Sequence, residues 1–338
     1  MINTLIVDDS AMVREILKDF LESSGAFRII GEAGDGEEAL RMILSLDPDL
    51  VTLDIEMPKM NGLEVIERVM EKMAVPIVVI SSRDSAQTAY EATLKGALEF
   101  YSKDLFTSSL GPEKQAQIFE TLKRISGIKG RRDGAAPAPV SPASPPARRG
   151  RGIDAVVIAS STGGPKALSG LLSRLPGDFP VPLAVVQHNS SGFDRGFSQW
   201  LDGYTKLEVG LAEDGEVPLP GRVYIARTDR HLTMRGLLFK YADGEPENNQ
   251  KPAADALFRS AAESLGPGLV SVVLTGMGAD GAAGTRRVRE MGGLTLAQDE
   301  ESSLIYGMPR AAAETGCVDM VLPLDKIPRE LDRLVRGS

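Results

Sequence analysis

From residue 127 to residue 152 the chain gives up nearly all of its bulky apolar side chains. The stretch runs from Gly130-Arg131-Arg132 through Ser144-Pro145-Pro146 to Arg149-Gly150-Arg151 and is dominated by Pro, Ala, Ser, Gly and Arg. Such a composition cannot repay its own ordering entropy, so it reads as a flexible, semi-extended tether. The 338 residues therefore divide into 1–126, a linker at 127–152 and 153–338. Each flank is long enough to bury its own core.

Net charge follows the same division: −9 over 1–126, +5 over the linker and −5 over 153–338. Two acidic flanks argue against a module that tracks phosphates along DNA or RNA, and a DNA-binding effector would call for a basic helix-turn-helix. A partner contact through the linker arginines is the alternative use of the basic stretch. No run approaches the ~20 apolar residues of a membrane span, and Met1-Ile2-Asn3-Thr4 opens without the basic and long apolar segments of a signal peptide. We therefore expect a cytoplasmic protein with no direct membrane insertion and no nucleic-acid partner. One cysteine and two histidines leave no zinc cluster, so any metal must be held by carboxylates.

Within 1–126, apolar runs at 4–7, 28–33, 50–53, 76–80 and 98–101 alternate with segments 11–23, 36–46, 62–72 and 85–94, whose apolar residues recur at three- and four-residue intervals. This predicts a doubly wound α/β unit with five parallel strands. In open sheets of this kind the working residues collect beyond the carboxyl ends of the strands. Those ends carry Asp8-Asp9, Asp54, Ser81 and Lys103. Clustered carboxylates repel one another, and Mg²⁺, a hard cation that prefers oxygen, neutralises them. A carboxylate beside Mg²⁺, a hydroxyl and an ammonium can attack a phosphoryl group. Any one of these acids could instead cap the helix that follows it.

The motifs Val7-Asp8-Asp9-Ser10, Asp54-Ile55-Glu56-Met57-Pro58-Lys59-Met60-Asn61-Gly62, Ile80-Ser81-Ser82 and Lys103 resemble the receiver domain of bacterial two-component response regulators. The resemblance implies Asp54 as phosphoacceptor and Asp8, Asp9, Asp54 and the Glu56 main-chain carbonyl as Mg²⁺ ligands. It implies Ser81 and Phe100 as a switch pair, with Lys103 as the phosphoryl contact. The family usually has proline after this lysine; here Asp104 follows.

Residues 153–338 restart the alternation. A strand at 155–159 runs into Ser160-Ser161-Thr162-Gly163-Gly164-Pro165 and a helix-like segment at 166–175. Such a turn can cradle phosphate, present a serine nucleophile or simply cap a helix, and the glycine-lysine pattern of a phosphate loop is missing. A strand at 183–187 ends in His188, and one at 269–274 leads to Asp280 within Thr275-Gly276-Met277-Gly278-Ala279-Asp280-Gly281. Three strand ends thus offer a hydroxyl, an imidazole and a carboxylate, the parts of a nucleophile–base–acid relay. Spacing alone leaves three separate caps equally open, and His231, after a strand, is the runner-up base.

These motifs, with Gln187-His188-Asn189, Gly221-Arg222-Val223-Tyr224-Ile225-Ala226, Asp255-Ala256-Leu257-Phe258, Ala297-Gln298-Asp299-Glu300 and Tyr306-Gly307-Met308-Pro309, resemble the catalytic domain of chemotaxis protein-glutamate methylesterases, the CheB family. The fold implied for 153–338 is α/β with a mainly parallel sheet. Ser161 would be the nucleophile, with Ser160 the neighbouring alternative, His188 the general base, Asp280 the orienting acid and the Met277 N–H an oxyanion donor. The resemblance further implies hydrolysis of glutamyl methyl esters on methyl-accepting chemoreceptors and deamidation of receptor glutamines. No cofactor serves the esterase, and Mg²⁺ serves only the receiver. A histidine kinase would be the phosphodonor, with the receiver covering the esterase cleft until Asp54 is phosphorylated. After the histidine, where the family often has proline or methionine, this chain has Asn189-Ser190-Ser191. Two rival functions remain: an inactive effector that only binds, and a DNA-binding regulator.

Overall fold

The computed structural model describes residues 1–82, 86–107, 110–128 and 152–337. Most of the expected linker, 129–151, lies outside the described residues. The chain splits into two compact units, Met1–Ala135 and Ala136–Ser338. Among the described residues, no helix is long and apolar enough to cross a membrane.

In the first unit the strands are β1 (Ile2–Val7), β2 (Phe27–Ala33), β3 (Leu50–Leu53), β4 (Ile77–Ser81) and β5 (Glu99–Ser102). They form one parallel sheet in the order β2-β1-β3-β4-β5. Helices α1 (Ala11–Ser23), α2 (Gly36–Leu46) and α3 (Gly62–Lys72) occupy the spans that periodicity predicts. Ser10, Asp35 and Asn61 start them by accepting from the N–H three residues on, the usual N-cap arrangement. Helices α4 (Ala86–Lys95), α5 (Lys103–Thr107) and α6 (Pro112–Ser126) complete the unit. Proline opens α6, where its missing N–H costs nothing, and Ile118, Leu122 and Ile125 face a core that includes Leu17, Leu21 and Phe27.

Register places the chemistry. Val7 pairs with Leu53 and Leu53 with Val79, so Asp8 and Asp54 leave adjacent strands at one level, and Ser81 pairs with Ser102, immediately before Lys103. Gly62 is needed beside this edge, because a Cβ there would sit 2.3 Å from the Asp54 carbonyl oxygen.

The second unit holds a seven-stranded parallel sheet, β14-β13-β12-β6-β7-β9-β8. Its strands are β6 (Ala155–Ser160), β7 (Leu183–Gln187), β8 (Glu208–Leu211), β9 (Arg222–Ile225), β12 (Leu269–Val273), β13 (Leu294–Gln298) and β14 (Met320–Leu322). An antiparallel hairpin, β10 (His231–Arg235) and β11 (Leu238–Ala242), lies outside it. The helices are α7 (Gly164–Leu172), α8 (Asp194–Asp202), α9 (Ala254–Leu265), α10 (Ala282–Glu290), α11 (Met308–Glu314) and α12 (Ile327–Arg336). Central strands β6, β7 and β12 are buried at every position, as expected for a parallel sheet covered on both faces. Helix α7 starts two residues earlier than predicted and is shorter, because Gly163, in the left-handed region at φ 77°, caps it and Pro165 occupies its first turn. The chain first adds β7 on one side of β6 and later returns with β12 on the other. That reversal is the switch point at which open α/β sheets form their crevice.

Candidate active site

In the first unit, Asp8, Asp9 and Asp54 each bring a carboxylate oxygen within 4.8 Å of the others. Asp8 and Asp54 are buried and Asp9 is exposed. Lys103 Nζ lies 2.8 Å from Asp8 Oδ2 and 2.7 Å from Asp54 Oδ2. Burial pushes the Asp54 carboxyl up to about 6; the Lys103 ammonium opposes this and the Asp8 charge adds to it. Burial also acts to lower the Lys103 ammonium, but its hydrogen bonds to Asp54 and Asp8 outweigh that and leave it raised. One ammonium against three carboxylates leaves an excess of negative charge made entirely of hard oxygen donors, a set that suits Mg²⁺. The remaining expected ligand, the Glu56 main-chain carbonyl, follows in the loop after Asp54. Ser81 is buried with an Oγ that has no hydrogen-bond partner. Phe100 packs edge-on to Tyr90 with ring centroids 4.7 Å apart. Asp104, in the place of the family's proline, stands in the first turn of α5, where a carboxylate suits the positive end of a helix.

In the second unit, Ser160 pairs with Gln187 across β6 and β7, which sets Ser161 and His188 side by side one step beyond. The two serines differ sharply. Ser160 is fully buried and its Oγ donates to Gln187 Oε1 at 2.6 Å, whereas Ser161 is only half-buried. His188 Nε2 lies 2.8 Å from Asp280 Oδ2. Because an ionised carboxylate only accepts, Nε2 carries the proton. The buried Nδ1 has no hydrogen-bond partner. Burial, the largest influence on Asp280, raises its carboxyl, yet the hydrogen bond and charge of His188 with the N–H groups of Ala254 and Asp255 hold it below the usual carboxylate value. The loop after β12 passes against the serine: Ser161 N–H donates to the Thr275 carbonyl at 3.0 Å, and a Cβ added at Gly276 would meet Ser161 Cβ at 2.8 Å. Met277 follows in that loop. His231 does not join this group. It is buried, with Nε2 2.9 Å from the Glu245 carbonyl and Nδ1 accepting from the Ala253 N–H at 3.2 Å, so neither nitrogen is open to act as a base.

Comparison with known proteins finds a family for each unit. A family model described as CheB methylesterase matches residues 156–331, and one described as response regulator receiver domain matches 4–111. A protein-glutamate methylesterase/protein-glutamine glutaminase of Nitrosospira multiformis is 42% identical over 99% of this chain and 97% of its own length. The chain belongs to the CheB methylesterase family. A relative of the same description from Thermotoga maritima is 38% identical over 99% of this chain and 98% of its own. The crystal structure of the Thermotoga maritima CheB methylesterase catalytic domain superposes with a TM-score of 0.53 at 42% identity, covering 54% of this chain and 99% of that one.

This member of the CheB family also has buried polar groups beside the site to which the sequence motifs assign no role. Gln187 Nε2 donates to the carbonyls of Ser161 and His188, each at 3.0 Å, while its Oε1 takes the Ser160 hydroxyl. One buried amide therefore clasps both strand ends; in the sequence Gln187 shows as the polar residue that closes an apolar strand and opens the Gln187-His188-Asn189 motif. Asp255 lies beside Asp280 and accepts from the Gly284 N–H at 2.6 Å and from Asn248 Nδ2 at 2.8 Å. Burial raises its carboxyl, with the Asp280 charge adding to that against the Gly284 N–H.

Proposed function

We propose that this chain is a phosphorylation-activated protein-glutamate methylesterase that hydrolyses glutamyl methyl esters on methyl-accepting chemoreceptors, and deamidates specific receptor glutamines, through Ser161, His188 and Asp280. The observation that carries the reading is the 2.8 Å contact of His188 Nε2 with Asp280, on the strand end next to Ser161. In the reaction His188 takes the Ser161 proton on Nδ1 as Oγ bonds to the ester carbonyl carbon. Asp280 holds the ring and balances the imidazolium charge. The Met277 N–H stabilises the oxyanion. Collapse breaks the carbon–oxygen bond, and methanol leaves with the proton from His188. Water, deprotonated by His188 in turn, cleaves the acyl-enzyme and restores the serine. With a glutamine side chain the same acyl-enzyme forms and ammonia leaves. The esterase step uses only side chains and main-chain N–H groups.

Asp54 is the proposed phosphoacceptor, supplied by a histidine kinase. Its carboxylate oxygen attacks phosphorus as the donor bond breaks, and Lys103 faces the incoming oxygens. Mg²⁺, held by Asp8, Asp9, Asp54 and the Glu56 carbonyl, would neutralise charge on the phosphoryl oxygens. Phosphorylation raises activity to the extent that it shifts the chain's population toward the form in which the esterase works.

The test is methanol release from a methylated receptor fragment by wild type, Ser161→Ala and His188→Ala, each with and without acetyl phosphate and Mg²⁺. Release by wild type, greater with the phosphodonor and abolished in both variants, supports the reading. Equal release by Ser161→Ala replaces it with a different nucleophile, and no release from a substrate known to be competent replaces it with a binding module.

A further inference from the structure

Asp280 accepts hydrogen bonds from five groups. His188 Nε2 and the Ala254 N–H, at 2.6 Å, meet Oδ2; the N–H groups of Asp255 at 3.0 Å and Gly281 at 3.1 Å, with Asn248 Nδ2 at 3.2 Å, meet Oδ1. Among these only His188 and Asn248 contribute side chains. The same Asn248 nitrogen donates to Asp255 Oδ2 at 2.8 Å, so one neutral amide bridges two buried acids whose charges would otherwise face each other directly. Asn248 itself stands at the surface and reaches inward from a turn closed by reciprocal hydrogen bonds between Glu247 and Gln250. Its φ is 53° and that of Asn249 is 59°, a region that asparagine tolerates better than most residues. The residue type thus answers two demands, the backbone of the turn and an NH₂ aimed at both carboxylates.

We propose that Asn248 is a positioning residue of the hydrolytic site, fixing the Asp280 carboxylate so that Oδ2 stays on His188 Nε2–H, with Asp255 holding the amide in place. The inference rests on the Ser161–His188–Asp280 reading above.

The test uses the full chain with a methylated receptor fragment. Asn248→Gly keeps the turn, because glycine adopts positive φ without strain, and deletes only the amide. Asn248→Asp keeps shape and turn but sets a third carboxyl against Asp280 and Asp255. The expected result is a fall in kcat of roughly 10- to 100-fold for Asn248→Gly, as a small misplacement of a catalytic group produces. KM and the thermal midpoint should change little, and the loss should be larger for Asn248→Asp. The low-field proton resonance of the His188–Asp280 hydrogen bond should shift or broaden in both, which a purely structural turn residue would not cause. If Asn248→Gly matches wild type while Ser161→Ala is inactive, the positioning role is overturned and the site reading stands. A loss confined to KM also overturns it and moves Asn248 to the substrate rim. If Ser161→Ala is as active as wild type, both readings fall together.

Discussion

The Ser160 hydroxyl spends itself on Gln187 Oε1 in a fully buried setting, so alanine there strands a buried acceptor and costs about 1–3 kcal/mol. Trp200, the single tryptophan, is buried in α8 against Phe197 and reports on this unit in urea unfolding. Ser160→Ala should lower that transition yet retain methanol release within about 10-fold, whereas Ser161→Ala should lose release by roughly 10³-fold or more. Asp280 gives a pH prediction. Its folded pKa lies below its unfolded value, so its contribution to stability is present above about pH 4 and is lost as pH falls through the folded value. Between pH 5 and pH 3 the Trp200-monitored urea midpoint should therefore fall more steeply in wild type than in Asp280→Asn; equal slopes would show that Asp280 is not held ionised. At this scale the sequence was legible as far as residue type. Position at a strand end put His188 ahead of His231, but spacing could not separate the two adjacent serines, because strand register and the partner of each hydroxyl decide between them.

Helices α9 and α10 pack tightly at Gly284. A Cβ there would lie 2.5 Å from Phe258 Cβ and 3.2 Å from Asp255 Cα, both fixed to α9 and unable to swing away. Gly284→Ala should force the helices apart, costing about 1–3 kcal/mol and disturbing the N–H that Asp255 accepts, as checked by urea unfolding together with kcat. In the first unit, Lys103→Met strips the ammonium from two buried carboxylates and should cost up to about 3 kcal/mol. Mg²⁺ should recover part of that loss in thermal unfolding; an equal loss with and without Mg²⁺ would argue against a metal among Asp8, Asp9 and Asp54. Elements were legible where one face alternates cleanly or a strand is wholly apolar: α1, α2, α3 and β7 occupy their predicted spans. The turn that carries Asn248 was not. Its shape comes from left-handed backbone and from acids on α9 and in the loop after β12, none of which leaves a periodic trace.

For the whole molecule, the linker composition and the double α/β alternation gave the two-part α/β architecture, and the family models match one flank each. Asp54→Ala should abolish any rise in methanol release on adding acetyl phosphate and Mg²⁺ to the full chain, and a persisting rise would place the control elsewhere. The order of strands also bears on how the protein is made. Ser161 and His188 directly follow β6 and β7, neighbours in both sequence and sheet, but Asp280 follows β12, which joins the far side of β6 and pairs with β13 on its other edge. On the ribosome, Ser161 and His188 emerge well before Asp280. On the proposed reading, a chain that ends before β12 lacks Asp280 as well as the central strand that flanks β6, and it should release methanol far more slowly than the full chain.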